Sequence, residues 1–339
     1  MAEAEIDALI DRGLAAVEDD KLDEADEVLE EARHLAGENH VRVLHLAGLL
    51  AWARDDLEHA TGFLMQAADM SPTQPEIYLD CAECLFSVEE IEEAETQTRA
   101  VLRLENLPRE QEDDARLLLA QLRLADDDPD EALEVLDGID ESRKDHPAFL
   151  STRGIALSAD EQFDEAVAVL QRAIEHEPED ADLHYQLGIA LEYRGDIEAS
   201  RKAMKRVLEL DVAEWKDMGE ELPPPDFTET QELRSRLEDV LEELPDPVLK
   251  LVAAAPITVQ ARATEEQVEK GVNPRSVLGF LGTPHTDGTD AQLEGIVVMR
   301  DLLLQQVDDD DEIESELFEA LVEEMQLFFR RTDLVFAEG

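Results

Sequence analysis

Small residues recur at a fixed interval along the chain, within stretches where the apolar positions follow a helical period. Gly154 and Ala166 are followed 34 residues later by Gly188 and Ser200. Two helices pack at close range only where small side chains meet, because a larger side chain pushes the helices apart. The pattern therefore predicts pairs of helices, in which a small residue of the first helix contacts a small residue of the second.

The same register extends towards the N-terminus. The small position of the second helix occurs at Ala25, Ala60, Ala94, Ala132, Ala166 and Ser200, with spacings of 35, 34, 38, 34 and 34 residues. Acidic residues fill the first turn of these helices, where they complement the positive end of the helix dipole. In spacing and residue type the chain resembles the tetratricopeptide repeat (TPR), a helix pair with a period of about 34 residues.

The resemblance implies a mostly α fold, in which about six helix-turn-helix repeats form an α-solenoid over residues 1–212. Repeat units bury their apolar faces only against their neighbours, so the stack is expected to fold as a unit. The repeat pattern ends after Val212. Three consecutive prolines, Pro223–Pro225, exclude a helix interior, and residues 213–227 are predicted to be a proline-rich linker and cap.

Residues 228–339 have a different pattern, which predicts a small α+β domain. An amphipathic helix is predicted over 228–244, strands over Pro256–Ala261 and Gly295–Arg300, and a loop rich in glycine and proline over 273–290. A short helix follows the second strand. The last predicted helix buries a stripe of apolar residues, namely Ile313, Leu317, Leu321, Met325 and Phe328.

In the TPR family, the first helices of the repeats line a concave groove at fixed offsets from the small residue. We interpret the corresponding positions here as a candidate groove for an amphipathic helix or an extended peptide of a partner. Two alternatives stay open at this point: the side chains fill contacts between repeats, or the C-terminal part of the chain covers them. The candidate groove residues are His45, Leu49, Trp52, Leu79, Phe86, Leu117, Gln121, Tyr185, Ile189 and Tyr193.

Residues 228–339 resemble the minimal zincin-like metallopeptidase domain found in bacteria. The resemblance rests on the order of a helix ending EELPDPVLKLV, the strand ITVQA, the segment SVLGFLGTP, the strand IVVM and a long final helix. In that family the final helix carries H-E-x-x-H, and an acidic residue follows it. The corresponding window here runs from Glu323 to Leu327, with Glu324 at the acid position and Asp333 at the later acidic position.

The departure from that motif changes the expected chemistry. Zinc hydrolases of this type need two imidazoles one helical turn apart, and Glu323 and Leu327 stand in their places. We therefore expect a degenerate, non-catalytic domain without a metal or cofactor, in which Glu324 is vestigial. One alternative is a metal-dependent peptidase with a non-standard ligand set. A residual site formed by Glu323, Glu324, Asp333 and His285 would be rich in oxygen ligands and would suit a hard cation better than zinc. Another alternative is an unrelated α+β appendage.

The net charge of the chain limits the kinds of partner that can be expected. The chain of 339 residues carries 86 acidic and 29 basic side chains, for a formal net charge of −57. Such a chain repels phosphate backbones and anionic lipids, so no nucleic-acid or membrane partner is expected, whereas a basic protein or peptide is attracted. Two alternative explanations of the same composition are high solubility and adaptation to a salty cytoplasm, where salt screens the repulsion between like charges.

The remaining signals favour an interaction protein in the cytoplasm. The N-terminal sequence lacks the pattern of a secretory signal, and no apolar run approaches the ~20 residues of a membrane span. Cys81 and Cys84 occupy helix-packing positions, which favours core packing over redox or metal chemistry. The sequence therefore predicts a non-catalytic scaffold that binds a protein partner through the groove, the C-terminal domain, or both.

Overall fold

The computed structural model describes residues 3–219, 223–285, 289–307 and 309–330, and this part of the chain is mostly helical. Contacts within the chain divide it into two compact units, Met1–Val169 (unit 1) and Leu170–Gly339 (unit 2). The division falls inside a helix, whereas the sequence predicted a solenoid that ends at Val212 and a separate domain from residue 228. The reason is a hydrophobic core that the last helix pair shares with the C-terminal segment.

Unit 1 consists of antiparallel helix pairs, as the repeat pattern predicted. In the first four pairs, the first helix contacts its own second helix and the first helix of the next pair. The helices are α1 (Glu3–Glu18), α2 (Leu22–Ala36), α3 (Val41–Trp52), α4 (Leu57–Met70), α5 (Pro75–Ser87), α6 (Ile91–Leu102), α7 (Arg109–Ala125), α8 (Pro129–Asp137), α9 (Pro147–Ala159) and the first part of α10 (Phe163–His176).

The small repeat positions lie where two helices meet. Ala60 and Ala94 have no exposed surface. A Cβ atom on Gly48 would lie 2.6 Å from Cγ of Leu64 on the paired helix, which is too close for any side chain. The alanine core of these pairs therefore follows directly from the spacing of small residues in the sequence.

The turns within the helix pairs repeat as regularly as the helices do. One residue near each turn has a positive φ, which allows the chain to reverse and start the second helix. In several turns an aspartate then caps the new helix, because its carboxylate accepts a backbone N–H of the first turn. The positive-φ residues are Asp20, Asp55, Glu89, Asp127, Glu161 and Gly195.

Unit 2 begins with the rest of α10 and joins one helix pair to a sheet and further helices. Its core runs from Met204 and Leu208 of the last pair to the strands and the final helix. Among the helices described, none has the length and apolarity that a membrane span requires. The elements are α11 (Ala181–Arg194), α12 (Ile197–Met218), α13 (Phe227–Glu242), α14 (Asp246–Val252), β1 (Ile257–Gln260), α15 (Glu265–Glu269), β2 (Leu278–Thr283), β3 (Gln292–Met299), α16 (Arg300–Gln306) and α17 (Ile313–Phe329).

The sheet of unit 2 has three strands in the order β1-β3-β2. β1 pairs with β3 in parallel, with Ile257 opposite Ile296, and β2 pairs with β3 in antiparallel, with Leu278 opposite Val298. The predicted strands correspond to β1 and β3, and the predicted apolar stripe of the final helix is buried on α17.

Two expectations for unit 2 were wrong. Residues 273–290 were predicted to be a loop, but Leu278–Thr283 form the edge strand β2, because their glycines fit a close approach to neighbouring chain segments. Residues 213–218 were assigned to the linker, but α12 continues through them to Met218. No helix breaker occurs before Gly219, which ends α12 in the left-handed conformation with a φ of 74°.

Candidate functional site

Polar contacts join successive first helices of unit 1 on the side where the predicted groove residues lie. Nε2 of His45 on α3 lies 2.5 Å from Oδ2 of Asp80 on α5. The amide of Gln111 on α7 donates to Oε1 of Glu76 on α5 at 3.1 Å. These contacts hold α3, α5 and α7 side by side, so that their side chains form one surface, which we call the first-helix face. It comprises Leu49, Trp52, Asp80, Glu83, Phe86, Asp114, Leu117 and Gln121.

Two of the predicted groove residues are core residues. His45 is only 6% exposed and Leu79 only 8%. His45 is packed into α3 with its ring nitrogen bonded to Asp80, and Leu79 belongs to the hydrophobic core of α4 to α7. Both side chains therefore fill contacts between repeats, which was one of the alternatives left open by the sequence, and neither offers free surface to a partner.

Three other predicted residues combine contact with the core and access to solvent. Leu49, Trp52 and Phe86 are half-buried and pack against the same hydrophobic core of unit 1. Leu117 and Gln121 of α7 are also half-buried. Large side chains that are fixed by a core on one side and exposed on the other are suited to bind an apolar partner segment without a large loss of side-chain entropy.

Glu83 belongs to the first-helix face, but the sequence analysis missed it. It lies on α5 between Leu79 and Phe86 and is exposed. The signal was available in the repeat register, because Leu49 and Gln121, both predicted groove residues, stand 34 residues before and 38 residues after it. At this repeat position, Glu83 is therefore the acidic residue, between a leucine and a glutamine.

The surroundings of Glu83 disfavour its negative charge. Partial burial raises the pKa of its carboxyl group, and the nearby charges of Asp80 and Asp114 raise it further. The side chain is nevertheless exposed to solvent. Within the described part of unit 1, no lysine or arginine forms an ion pair with Glu83.

In unit 2, the C-terminal part of the chain covers two of the predicted groove residues. Tyr185 and Ile189 of α11 pack against the core that includes the sheet and α17. The Tyr185 hydroxyl accepts a hydrogen bond of 3.0 Å from the Asn273 amide, and the guanidinium carbon of Arg275 lies 5.2 Å from the centre of the Tyr185 ring. Tyr193, at the end of the same helix, is 64% exposed.

Arg275 connects the segment before β2 to both helices of the last pair. Its Nε and Nη2 atoms donate to the two carboxylate oxygens of Asp211 at 2.9 and 2.7 Å, and its Nη1 atom donates to Asp182 at 2.5 Å. Asp211 is only 5% exposed. The two hydrogen bonds from the positively charged Arg275 compensate for the burial of its negative charge. The hydrogen bond to Asp211 raises the pKa of Arg275, which stays charged.

The window on α17 that corresponds to H-E-x-x-H faces in two directions. Glu323 and Leu327 are exposed, Leu327 by 56% of its surface. Glu324 is half-buried, and its Oε1 atom accepts a hydrogen bond of 3.0 Å from the backbone N–H of Phe280 on the edge strand β2. Burial raises the pKa of Glu324 to about 7. The hydrogen bond opposes that rise, and the charges of Glu323 and Glu192 add to it.

The residues of this window do not fit a zinc ion. Leu327 has no donor atom, and Glu323 and Glu324 point to different surroundings. The backbone N–H of His285 donates to the carbonyl oxygen of Phe328 at 2.8 Å, which places that loop beside α17, but across the described residues no three histidine, cysteine or acidic side chains come together as a metal site. Asp333 lies outside the described residues.

The two cysteines are buried in α5 and reduced. Burial raises the pKa of Cys81 to about 12 and that of Cys84 to about 11. Both groups are therefore neutral thiols at physiological pH, and neutral thiols are poor nucleophiles and metal ligands. Their role is packing, as the repeat register predicted.

Comparison with known proteins supports the repeat fold. Residues 151–213 match the tetratricopeptide repeat family, and no curated protein matches the chain. PilW, described as a widely conserved type IV pilus biogenesis factor, is 12% identical with a TM-score of 0.54, over 61% of this chain and 94% of its own. PilF of Pseudomonas aeruginosa is 14% identical with a TM-score of 0.51, over 64% and 97%.

A third solved structure, MamA of Desulfovibrio magneticus RS-1, is 21% identical with a TM-score of 0.44, over 51% of this chain and 96% of its own. At identities this low, the likeness to PilW and PilF concerns the fold alone. Residues 151–213 therefore match the tetratricopeptide repeat, and the chain has a helical-repeat fold that is similar to the folds of PilF and PilW.

Proposed function

We propose that this protein is a non-catalytic scaffold, which binds a segment of a partner protein on the first-helix face of unit 1. The observation that supports this most is the state of Leu49, Trp52 and Phe86. Each is anchored in the core and each keeps solvent-exposed surface on the same face. Aromatic side chains held in this way are the residues that contribute most binding energy at protein interfaces.

The net charge of −57 favours a basic partner. Opposite charge increases the rate of encounter and discourages acidic competitors, even where it adds little to the final affinity. Nucleic acid and membrane surfaces are not the proposed partners, because both are anionic. The cytoplasmic location predicted from the sequence stays a prediction.

The double variant Trp52→Ala, Phe86→Ala tests the proposed face. Peptides are first selected on the wild-type protein from a random 12-residue library displayed on phage, and their affinities are then measured by fluorescence anisotropy. We expect the double variant to bind the selected peptides at least about tenfold more weakly, because removing an interface anchor typically costs more than about 1.4 kcal/mol.

The matched control is Met65→Ala, Met70→Ala. Both methionines are exposed on α4, the second helix of its pair, at 40% and 46%. Their removal should leave the affinity of the selected peptides unchanged. Equal binding by the Trp52/Phe86 variant and the wild type, with unchanged circular dichroism, would show that the face is not the binding surface.

We further propose that the C-terminal part of unit 2 is a degenerate zincin-like domain that has lost its metal. The order of its elements and the leucine at position 327 support this interpretation. Plasma mass spectrometry of protein dialysed without chelator should find no stoichiometric metal. About one firmly bound zinc per chain would instead favour a metal-dependent peptidase with other ligands, to be followed by a peptidase assay on Glu324→Gln.

A further inference from the structure

Glu83, Asp80 and Asp114 differ in whether another side chain of unit 1 binds their carboxylate. Asp80 is bonded to His45, with 2.5 Å between the nitrogen and the oxygen. Asp114 forms an ion pair of 2.8 Å with Arg143. Glu83 lies near both carboxylates and has no such partner in the described part of unit 1. Of these three acidic residues, Glu83 is therefore the one whose carboxylate is left for a partner to bind.

Apart from Asp80 and Asp114, the residues around Glu83 on the face are apolar or neutral. Phe86 follows it by one helical turn on α5, while Leu49 and Trp52 lie on α3 and Gln121 on α7. A carboxylate in partly desolvated surroundings interacts more strongly with a cation than a fully hydrated carboxylate does. The apolar side chains beside it would exclude water from the ion pair once a partner segment covers them.

Unit 2 contains an example of the same kind of contact. Asp182 and Tyr185, on the first helix of the last pair, hold the guanidinium group of Arg275 from another segment of the chain. Asp182 occupies the repeat position of Asp114, and Tyr185 that of Leu117, according to their distances from Gly188 and Ala120. A first helix of this protein thus already binds a basic side chain with a carboxylate beside an aromatic ring.

We propose that the first-helix face of unit 1 selects a peptide segment in which one lysine or arginine stands between apolar side chains, and that Glu83 is the residue that binds this cation. The inference rests on the proposed function and makes it more specific. Trp52, Phe86 and Leu49 supply affinity for the apolar positions. Glu83 supplies the preference for a basic residue between them.

The test uses the random 12-residue phage library on full-length protein, selected in parallel on the wild type and on Glu83→Gln. Glutamine keeps the size and hydrogen-bonding capacity of the side chain and removes its charge. We expect the wild type to enrich peptides with a lysine or arginine flanked by apolar residues. The selection on Glu83→Gln should lose that basic residue and keep the apolar ones.

A double-mutant cycle then isolates the ion pair. The strongest wild-type peptide and its Lys→Gln or Arg→Gln form are each measured against the wild-type protein and Glu83→Gln. We expect Glu83→Gln to weaken the basic peptide about tenfold and to leave the neutral peptide unchanged. Glu58→Gln, which changes an exposed glutamate on the second helix α4, is the control and should affect neither peptide.

The possible outcomes separate this inference from the proposed function. If the Trp52/Phe86 variant loses binding but Glu83→Gln gives no coupling with the basic residue, the scaffold proposal stands and the role of Glu83 is refuted. Enrichment of peptides without a basic residue on the wild type refutes it as well. If the wild type selects no peptide, both proposals fail.

Discussion

At the scale of single residues, Glu324 is the side chain whose position and chemistry differ most from what its sequence context suggested. The zincin-like resemblance assigned it a vestigial role. In the structure it accepts a hydrogen bond from the outward-facing N–H of Phe280, on the edge strand β2. An edge strand exposes unpaired backbone groups that invite pairing with another chain. Glu324 satisfies one of them and thereby has a structural role.

The raised pKa of Glu324 predicts a pH dependence of stability. Between the ordinary value of 4.5 and the folded value of about 7, the folded chain keeps a proton that the unfolded chain has released. The free energy of unfolding therefore decreases as the pH rises through this window. We expect the wild type to lose on the order of 2 kcal/mol more than Glu324→Gln between pH 4.5 and 7, since each pKa unit corresponds to about 1.4 kcal/mol and solvent access reduces the effect.

Urea denaturation of both proteins at several pH values measures this difference. The glutamine amide still accepts the hydrogen bond from Phe280, so the comparison isolates the charge. The exposed neighbour provides the control: Glu323→Gln should follow the wild-type profile. If the free energy of unfolding changed with pH in the same way for the wild type and Glu324→Gln, the raised pKa of Glu324 would be contradicted.

At the scale of elements, strand β2 shows how glycine can belong to a strand. The pairing of β2 with β3 shifts register between Leu281 and Gly282, which marks a β-bulge. Gly282 has a φ of 140°, and a Cβ atom there would lie 2.1 Å from the carbonyl oxygen of Gln292 on β3. Glycine is therefore required at this position, although in the sequence it resembles a loop signal.

The variant Gly282→Ala is expected to destabilise unit 2 by about 2–4 kcal/mol, because it adds backbone strain and a steric clash. Gly62→Ala is the matched comparison in unit 1. Gly62 is exposed within α4, and a Cβ atom there would have no neighbouring side chain within 4 Å, so alanine should stabilise the helix by about 0.5–1 kcal/mol. Thermal and urea unfolding measure both changes. A Gly282→Ala variant as stable as the wild type would rule out the bulge.

At the scale of the whole molecule, the scarcity of basic residues makes their placement informative. The chain has 29 basic and 86 acidic side chains, so most of its charged side chains are acidic. In unit 2, Arg300 is 3% exposed and is bonded to Glu229 and Asp301, and Arg262 stacks over the ring of Trp215. Together with Arg275, these residues use their charge in contacts within unit 2.

The sequence by itself determined the helix pairs. Close packing of two helices needs small residues at fixed intervals, and Ala60 and Ala94 occur at such an interval. The sequence also determined the strands β1 and β3 and the buried stripe of α17, whose apolar periods are local. The identity of the groove residues was predicted less well. Leu79 fits the groove offset as Trp52 does, yet Leu79 is a core residue and Trp52 is half-buried.

Only the tertiary structure decided the remaining features, since they depend on contacts between residues far apart in the chain. Asn273 and Arg275 belong to a predicted loop, and their contacts with Tyr185 and Asp211 arise only when unit 2 folds. The balance of charge around Glu83 likewise depends on which carboxylates find partners on neighbouring helices. The periodicity of the sequence predicts which face of a helix or strand is buried. The contacts of each side chain outside that buried face depend on which distant segments pack against it.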